Sequence, residues 1–323
     1  MSSLDKFHDL IAKGLNENSL ISTPKELYEP MDYILNIGGK RIRPVIVLLG
    51  ADLFDGDLQQ SIKPSLAVEF FHNFSLMHDD IMDDAPLRRG KTTVHEHYGI
   101  NTAILSGDAL MIKAYEMFED LEPALFKKVV KLFTKTGIEL CEGQQWDINF
   151  ETQTNVTYED YIKMISYKTG VLVGASLKIG AIIAGASEED ADLIYEYGLN
   201  LGIAYQLKDD YLDVFGNLEH LGKKHAGDIY ENKKTILYIA ALEAADDKDR
   251  EELLFWYNMK TDNIDKVYAV EKIFRKLNVN KKLSTLIREY TNKAHQYLDK
   301  INVADEKKVH LRELSEILID RQG

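Results

Sequence analysis

Apolar positions recur at helical spacing along almost the whole chain. Leu4, Phe7, Leu10 and Ile11 open one amphipathic stripe, Met31, Ile34 and Leu35 a second, and residues 45–54 are apolar enough to be buried outright. Residues 171–186 are apolar and rich in Gly and Ala. That run is short for a membrane span and Lys178 interrupts it, so it reads as a core helix packed closely on its neighbours. Residues 281–301 and 305–319 form long amphipathic helices that cover the core. No alternating strand pattern, solenoid repeat or low-complexity tract breaks this reading. The six Pro all lie at or before position 123, so later punctuation falls to Gly and Asn. The expected fold is all-α, and with no Pro/Gly/Ser-rich linker the 323 residues are expected to form one large domain, 1–323.

One stretch concentrates chemistry. In residues 70–91, FFHNFSLMHDDIMDDAPLRRGK, the positions Phe70, Phe74, Met77 and Ile81 mark an apolar stripe that leads into Asp79, Asp80, Asp83 and Asp84. Asp79 and Asp83 are i,i+4 neighbours, so their carboxylates share a face and repel unless a cation lies between them. The same spacing returns 130 positions on (209 minus 79) in YQLKDDYLD, residues 205–213, as Asp209, Asp210 and Asp213. One such motif is weak evidence. Two, each at the end of an apolar helical run, predict facing acidic walls around hard divalent cations. Oxygen ligands and retained water favour Mg²⁺, which takes its remaining ligands from substrate phosphates. A diphosphate substrate follows.

Composition narrows the partners. The net charge of −14 argues against nucleic acid, which needs a basic face. Against that background Lys40, Arg41 and Arg43, and again Arg88, Arg89 and Lys91, stand out as basic clusters flanking the acidic stretch. A lone basic cluster is usually a solvated turn; beside a metal site these read as anion binders, with Arg suited to holding two phosphate oxygens at once. The single Cys141 excludes an internal disulfide and a Cys-based zinc site, and fits a reducing, cytoplasmic setting. The N-terminal residues include Asp5 and Asp9 and no long apolar core, so neither a signal peptide nor a span is expected there. Two segments read as working loops. Residues 84–93 follow the first acidic motif, where Pro86 disfavours continuing the helix. Residues 216–234 follow the second and carry Gly222, Lys223, Lys224, Gly227, Asp228, Lys233 and Lys234, a pattern that suits either a lid over phosphates or a plain surface turn.

The blocks GGKRIRP (38–44), HDDIMD (78–83) with RRG (88–90), GQQWD (143–147), KTG (168–170) and YQLKDDYLD (205–213) resemble, in order, those of the trans-isoprenyl diphosphate synthases, the polyprenyl synthetases. The resemblance implies a helical isoprenoid synthase fold around a central active-site cavity. It implies that Asp79, Asp83 and Asp209, with Asp147 and Asp213, hold about three Mg²⁺ on an allylic diphosphate. By the same resemblance Arg88, Gln144, Lys168, Lys223 and Lys233 bind that diphosphate, and Lys40, Arg43, His72 and Arg89 bind isopentenyl diphosphate. His72 also lies seven residues before Asp79, two turns down the same face. The Lys168 carbonyl, Thr169 and Gln206 match the dipoles that the family aims at developing positive charge. A homodimer is likewise expected from the family.

Other classes fit less well. A calcium-binding module needs acids at alternate loop positions with a central Gly, not acids at i, i+1 and i+4 of a helix. A class I terpene cyclase shares the first acidic motif but needs neither GGKRIRP nor the second one. A non-catalytic partner subunit usually loses motif residues, and none is lost here. Product length is expected to depend on Phe71, Phe74 and Ser75. Phe71, eight residues below Asp79, lies roughly 12 Å down the helix, and Phe74 is turned about 140° from Asp79. Geometry favours Phe71 as the tunnel floor. Family resemblance favours an aromatic at Phe74 followed by the small Ser75, the geranylgeranyl (C20) pattern, with C15 or C25–C35 as alternatives.

Overall fold

The computed structural model describes residues 4–216 and 225–320. In chain order the helices are α1 (Asp5–Glu17), α2 (Lys25–Asn36), α3 (Ile42–Asp52) and α4 (Leu58–Met82), then a two-stranded hairpin β1 (Leu87–Arg88) and β2 (Lys91–Thr92). There follow α5 (Val94–Tyr98), α6 (Ile100–Glu116), α7 (Pro123–Thr152), α8 (Tyr158–Ile165), α9 (Val171–Ile183) and α10 (Glu188–Phe215). The remainder is α11 (Gly227–Tyr230), α12 (Ile236–Ala244), α13 (Asp247–Tyr257), α14 (Ile264–Lys276), α15 (Val279–Lys300) and α16 (Val309–Ile319). The fold class is all-α. The hairpin is the one departure from an all-helical reading among the described residues, and its two-residue strands are too short to leave an alternating pattern.

The residues cluster into two compact units, each built from separated segments: 1–134 with 175–195 and 302–310, and 135–174 with 196–301 and 311–323. In the first unit α4 is the axis. It packs chiefly against α3 and α6, with α1, α2 and α5 beside it. The sequence stripe led by Phe70 therefore understates its burial, since Leu66, Ala67, Val68, Phe70, Phe71, Asn73 and Met77 are all buried over more than half of the circumference. The polar face that remains is narrow and carries His72 and Asp79, both partly exposed. Each fully buried Phe or Met side chain there contributes about 1.5–3 kcal/mol. Asp57 caps the start of α4, its side chain accepting from Gln59 N–H at 2.9 Å.

In the second unit the core runs through Phe150, Tyr161, Ile165, Leu207, Ile236, Phe274 and Leu283. A capping box begins α8, in which Thr157 Oγ1 accepts from Asp160 N–H while Asp160 Oδ2 accepts from Thr157 N–H, each at 3.1 Å. Lys266 on α14 is fully buried and donates to Tyr230 O, Asn232 Oδ1 and Met259 O. Truncation would remove three hydrogen bonds to partly buried acceptors, each with a net worth of about 0.5–1.5 kcal/mol, more where the donor is charged. Lys266→Ala should therefore lower the urea midpoint markedly, by the equivalent of a few kcal/mol. Among the described residues no helix is long and apolar enough to cross a membrane.

Candidate active site

In the first unit the acidic set lies where α4 stops. The helix ends at Met82 with Asp83 as its C-cap, and Asp84 takes the left-handed conformation, φ 48°, that glycine more often supplies. Asp79 is partly exposed in the last turn and Asp83 is exposed beside it. Asp80 turns the other way. It is 1% exposed and takes a two-oxygen grip from Arg88, with Nε at 2.8–2.9 Å and Nη2 at 2.6 Å. So Nε and Nη2 of Arg88, a residue expected on the allylic diphosphate, are committed to Asp80, and the motif divides into outward carboxylates and one inward anchor.

The basic set of the same unit divides similarly. Arg41 is bound by the buried Glu69 and the Leu35 carbonyl, so it fixes the turn before α3 instead of facing a ligand. Glu69 also accepts from Asn73 at 2.9 Å. Arg43 donates from Nη1 to His72 Nε2 at 2.9 Å. A guanidinium can only donate, so Nε2 accepts and the proton of the neutral ring sits on Nδ1. Arg89 donates to Gly38 O, and a Cβ on Gly39 would strike its guanidinium, which is why this turn carries glycine at φ 126°. Lys40 is exposed at the same turn.

Electrostatics here favour an anion. Burial, and then Arg43, Arg89, Arg88 and Arg41, hold the His72 imidazole well below its usual range. Burial also lowers Arg89, and Arg41, Arg88 and Arg43 add to this against the pull of Glu69. Clustered like charges of this kind are relieved by a bound anion. A pH effect follows. An unfolded His72 takes up a proton near pH 6.5 while the folded one does not. The unfolded chain then binds more protons, so stability must fall as pH drops below about 6.5, by up to about 1.4 kcal/mol per pH unit. Urea unfolding from about pH 7.5 to 5.5 checks this: the slope should be shallower in His72→Gln.

In the second unit a π-helix, Ser166–Gly170, carries the KTG block. Such wide turns leave carbonyl groups outside the regular ladder and recur at functional sites. Gly143 on α7 makes this possible, because a Cβ there would overlap the backbone at Lys168. Lys168 pairs with Asp147 of α7, and Thr169 Oγ1 donates to Gln206 Oε1 at 3.2 Å. Gln144 is buried at 9% exposure on α7. Asp209 and Asp213 are partly exposed near the end of α10, whereas Asp210 is 3% exposed. Tyr161 Oη donates to Asp210 Oδ2 at 2.5 Å and Gln206 Nε2 to Oδ1 at 3.1 Å. Burial and the nearby Asp228 push the Asp210 carboxyl up against those two bonds, and burial beside Asp210 pushes the Tyr161 phenol up.

The loop singled out in the sequence after the second acidic motif adds further members to this set. Asp213 Oδ2 accepts from Asp228 N–H at 3.2 Å, which ties α11 to the end of α10 and adds Asp228 to the acids. Burial lowers the Lys233 amine, but Asp228 and Glu231 outweigh it and raise the group overall; Lys233 lies 2.8 Å from Glu231. Lys234 caps the C-terminal end of α7 through the carbonyls of Phe150, Glu151 and Gln153 at 2.7–3.0 Å. Lys223 lies outside the described residues. Both acidic sets present oxygen donors only, the chemistry that suits a hard divalent cation.

Three comparisons bear on this geometry. The sequence profile described as Polyprenyl synthetase matches residues 24–274. A geranylgeranyl diphosphate synthase of Sulfolobus acidocaldarius is 37% identical over 90% of this chain and 91% of its own. A solved structure titled as a geranylgeranyl pyrophosphate synthase is 42% identical and covers 100% of both chains, with a TM-score of 0.96. Another, from Corynebacterium glutamicum and titled as complexed with isoprenyl diphosphate and magnesium, is 26% identical over 98% of each chain, with a TM-score of 0.86. With two DDxxD motifs, each split into outward acids and a buried anchor, and a match that spans most of its length, this chain belongs to the polyprenyl synthetase family.

Proposed function

We propose that the protein joins an allylic diphosphate head-to-tail to isopentenyl diphosphate and yields chiefly geranylgeranyl diphosphate, C20. The observation that carries this reading is the helix α4 itself. Its end bears the outward carboxylates Asp79 and Asp83, and two turns lower Phe71 and Phe74 meet edge to face, ring centroids 5.4 Å apart. Ser75 between them and the acids is small, its hydroxyl donating to His72 O at 2.8 Å.

Asp79 and Asp83, and Asp209 and Asp213 with Asp147, are the carboxylates that would hold about three Mg²⁺ on the allylic diphosphate. When bound, Mg²⁺ neutralises that diphosphate as a leaving group. Lys168, Lys233, Gln144, Lys223 and the remaining edge of Arg88 add positive charge or donors to it. Lys40, Arg43, Arg89 and His72 hold isopentenyl diphosphate without metal. The allylic C–O bond breaks and its electron pair leaves with the diphosphate. The double bond of isopentenyl diphosphate then forms the new C–C bond, and the proton lost from the adjacent carbon passes to the released diphosphate. No protein nucleophile takes part; the chain positions, excludes water and directs dipoles, including the Lys168 carbonyl, Thr169 and Gln206, at the developing cation.

The decisive experiment is incubation with radiolabelled isopentenyl diphosphate and each of the C5, C10 and C15 allylic primers, with products sized by chromatography. Absence of any chain elongation with all three primers would refute the reading. The two phosphate sets should separate kinetically: Lys40→Ala or Arg43→Ala raises the KM for isopentenyl diphosphate, and Lys233→Ala acts on the allylic side. Equal effects on both substrates would show the assignments to be wrong. The same reading makes the protein a cytoplasmic homodimer. Support for the pairing is α6, on which Ile100, Ile104, Leu105 and Ile112 are all exposed.

A further inference from the structure

Next to Asp83, but using none of the carboxylates assigned to Mg²⁺, three side chains converge at the base of the hairpin that carries Arg88 and Arg89. Asp84 stands just before the hairpin, and His95 and Glu96 just after it, in the first turn of α5. The hairpin folds the chain back so that its ends meet. Leu87 pairs with Thr92 and Arg88 with Lys91, and below them Thr93 N–H donates to Pro86 O at 3.1 Å. One ring nitrogen of His95 and one carboxylate oxygen from each of Asp84 and Glu96 all lie within 4.8 Å of one another. His95 Nε2 is 3.7 Å from Glu96 Oε1.

The histidine is what distinguishes this cluster from ordinary surface acids. His95 is 6% exposed, yet neither ring nitrogen has a hydrogen-bond partner. Buried polar atoms in folded proteins are almost always satisfied, so an imidazole turned toward two carboxylates with nothing bound to it calls for a ligand that accepts a nitrogen lone pair. A metal ion would take the lone pair of one ring nitrogen together with an oxygen from each acid, while the other nitrogen keeps the N–H of the ring.

We propose that Asp84, His95 and Glu96 form a binding site for a divalent transition-metal ion. One imidazole with two carboxylates selects the Mn²⁺, Co²⁺, Ni²⁺ and Zn²⁺ class over Mg²⁺, which prefers oxygen alone. Metal–ligand bonds of about 2.0–2.1 Å place neighbouring ligand atoms roughly 3–3.5 Å apart. The 3.7 Å between His95 and Glu96 is close to that, and the exposed side chains of Asp84 and Glu96 are able to close the remainder by rotation. The three residues line an open cavity of about 660 Å³ together with Asn101 and Thr102, which leaves room for water to complete the coordination. Bound there, the ion ties the two ends of the hairpin together and steadies Arg88 and Arg89. The site uses none of the carboxylates assigned to the substrate metals and stands whether or not that assignment holds.

Cobalt binding tests it without recourse to activity. The full chain carrying Asp79→Ala and Asp209→Ala, so that the substrate-metal carboxylates are weakened, is stripped with chelator and titrated with Co²⁺ under a large excess of Mg²⁺. Retained cobalt is counted after gel filtration and followed by its visible absorption. One Co²⁺ per chain is expected. Adding Glu96→Gln, Asp84→Asn or His95→Gln should weaken its binding at least tenfold. The first two replace exposed side chains, and Asn suits the left-handed position of Asp84, so they report even where loss of His95 harms folding. No retained cobalt in the parent, or equal retention after Glu96→Gln and Asp84→Asn, would overturn the proposal.

Discussion

Asp79→Ala and Asp209→Ala should each lower turnover by three or more powers of ten, equivalent to about 4 kcal/mol or more in the barrier, while thermal unfolding changes little. Both acids are partly exposed, and exposed charges contribute little to stability. Loss of their neighbours should lower stability. Asp80 and Asp210 are 1% and 3% exposed and hold Arg88 and Tyr161 respectively. Removing Asp80 leaves a guanidinium without its partner, a loss of about 3–5 kcal/mol where such a pair is buried and less where the cation reaches water, as Arg88 does in part. Steady-state kinetics beside urea melts would show the split. Rates near wild type in Asp79→Ala or Asp209→Ala would remove the metal assignment.

Product length gives the second large effect. The wild-type chain should make mainly C20, Ser75→Phe should stop at C15, and Phe74→Ala or Phe71→Ala should run longer. The structure separates the two Phe in stability. Phe71 is 4% exposed and packs on Phe133, centroids 5.0 Å apart, which in turn meets Phe118 and Tyr115. Its truncation should cost about 3–5 kcal/mol. Phe74 is partly exposed and rests against Phe71 and His78, so its loss should cost less while still lengthening the product. Products sized by reversed-phase chromatography, read beside unfolding curves, check both halves. A wild-type product of C30 or longer, or variants that lose stability yet keep one chain length, would contradict the reading.

The sequence by itself determined the helical class, the two acidic motifs and the identity of the basic residues. Periodicity of 3.6 and the i,i+4 spacing of Asp79 with Asp83 and Asp209 with Asp213 are local facts, fixed once a helix forms. Spacing did not separate Asp80 from Asp79, or Arg41 from Arg43. That division depends on which partner packing brings to each side chain: the hairpin Arg88 for Asp80, the buried Glu69 for Arg41. Spacing missed Tyr161 and Lys266, and gave Asp228 and Lys234 only as members of a loop, because their roles come from contacts 15 to 84 positions away in the chain. Tertiary structure alone decides such pairings, because a side chain's charge and reach are written in the sequence but the partner brought within 3 Å of it is set by packing.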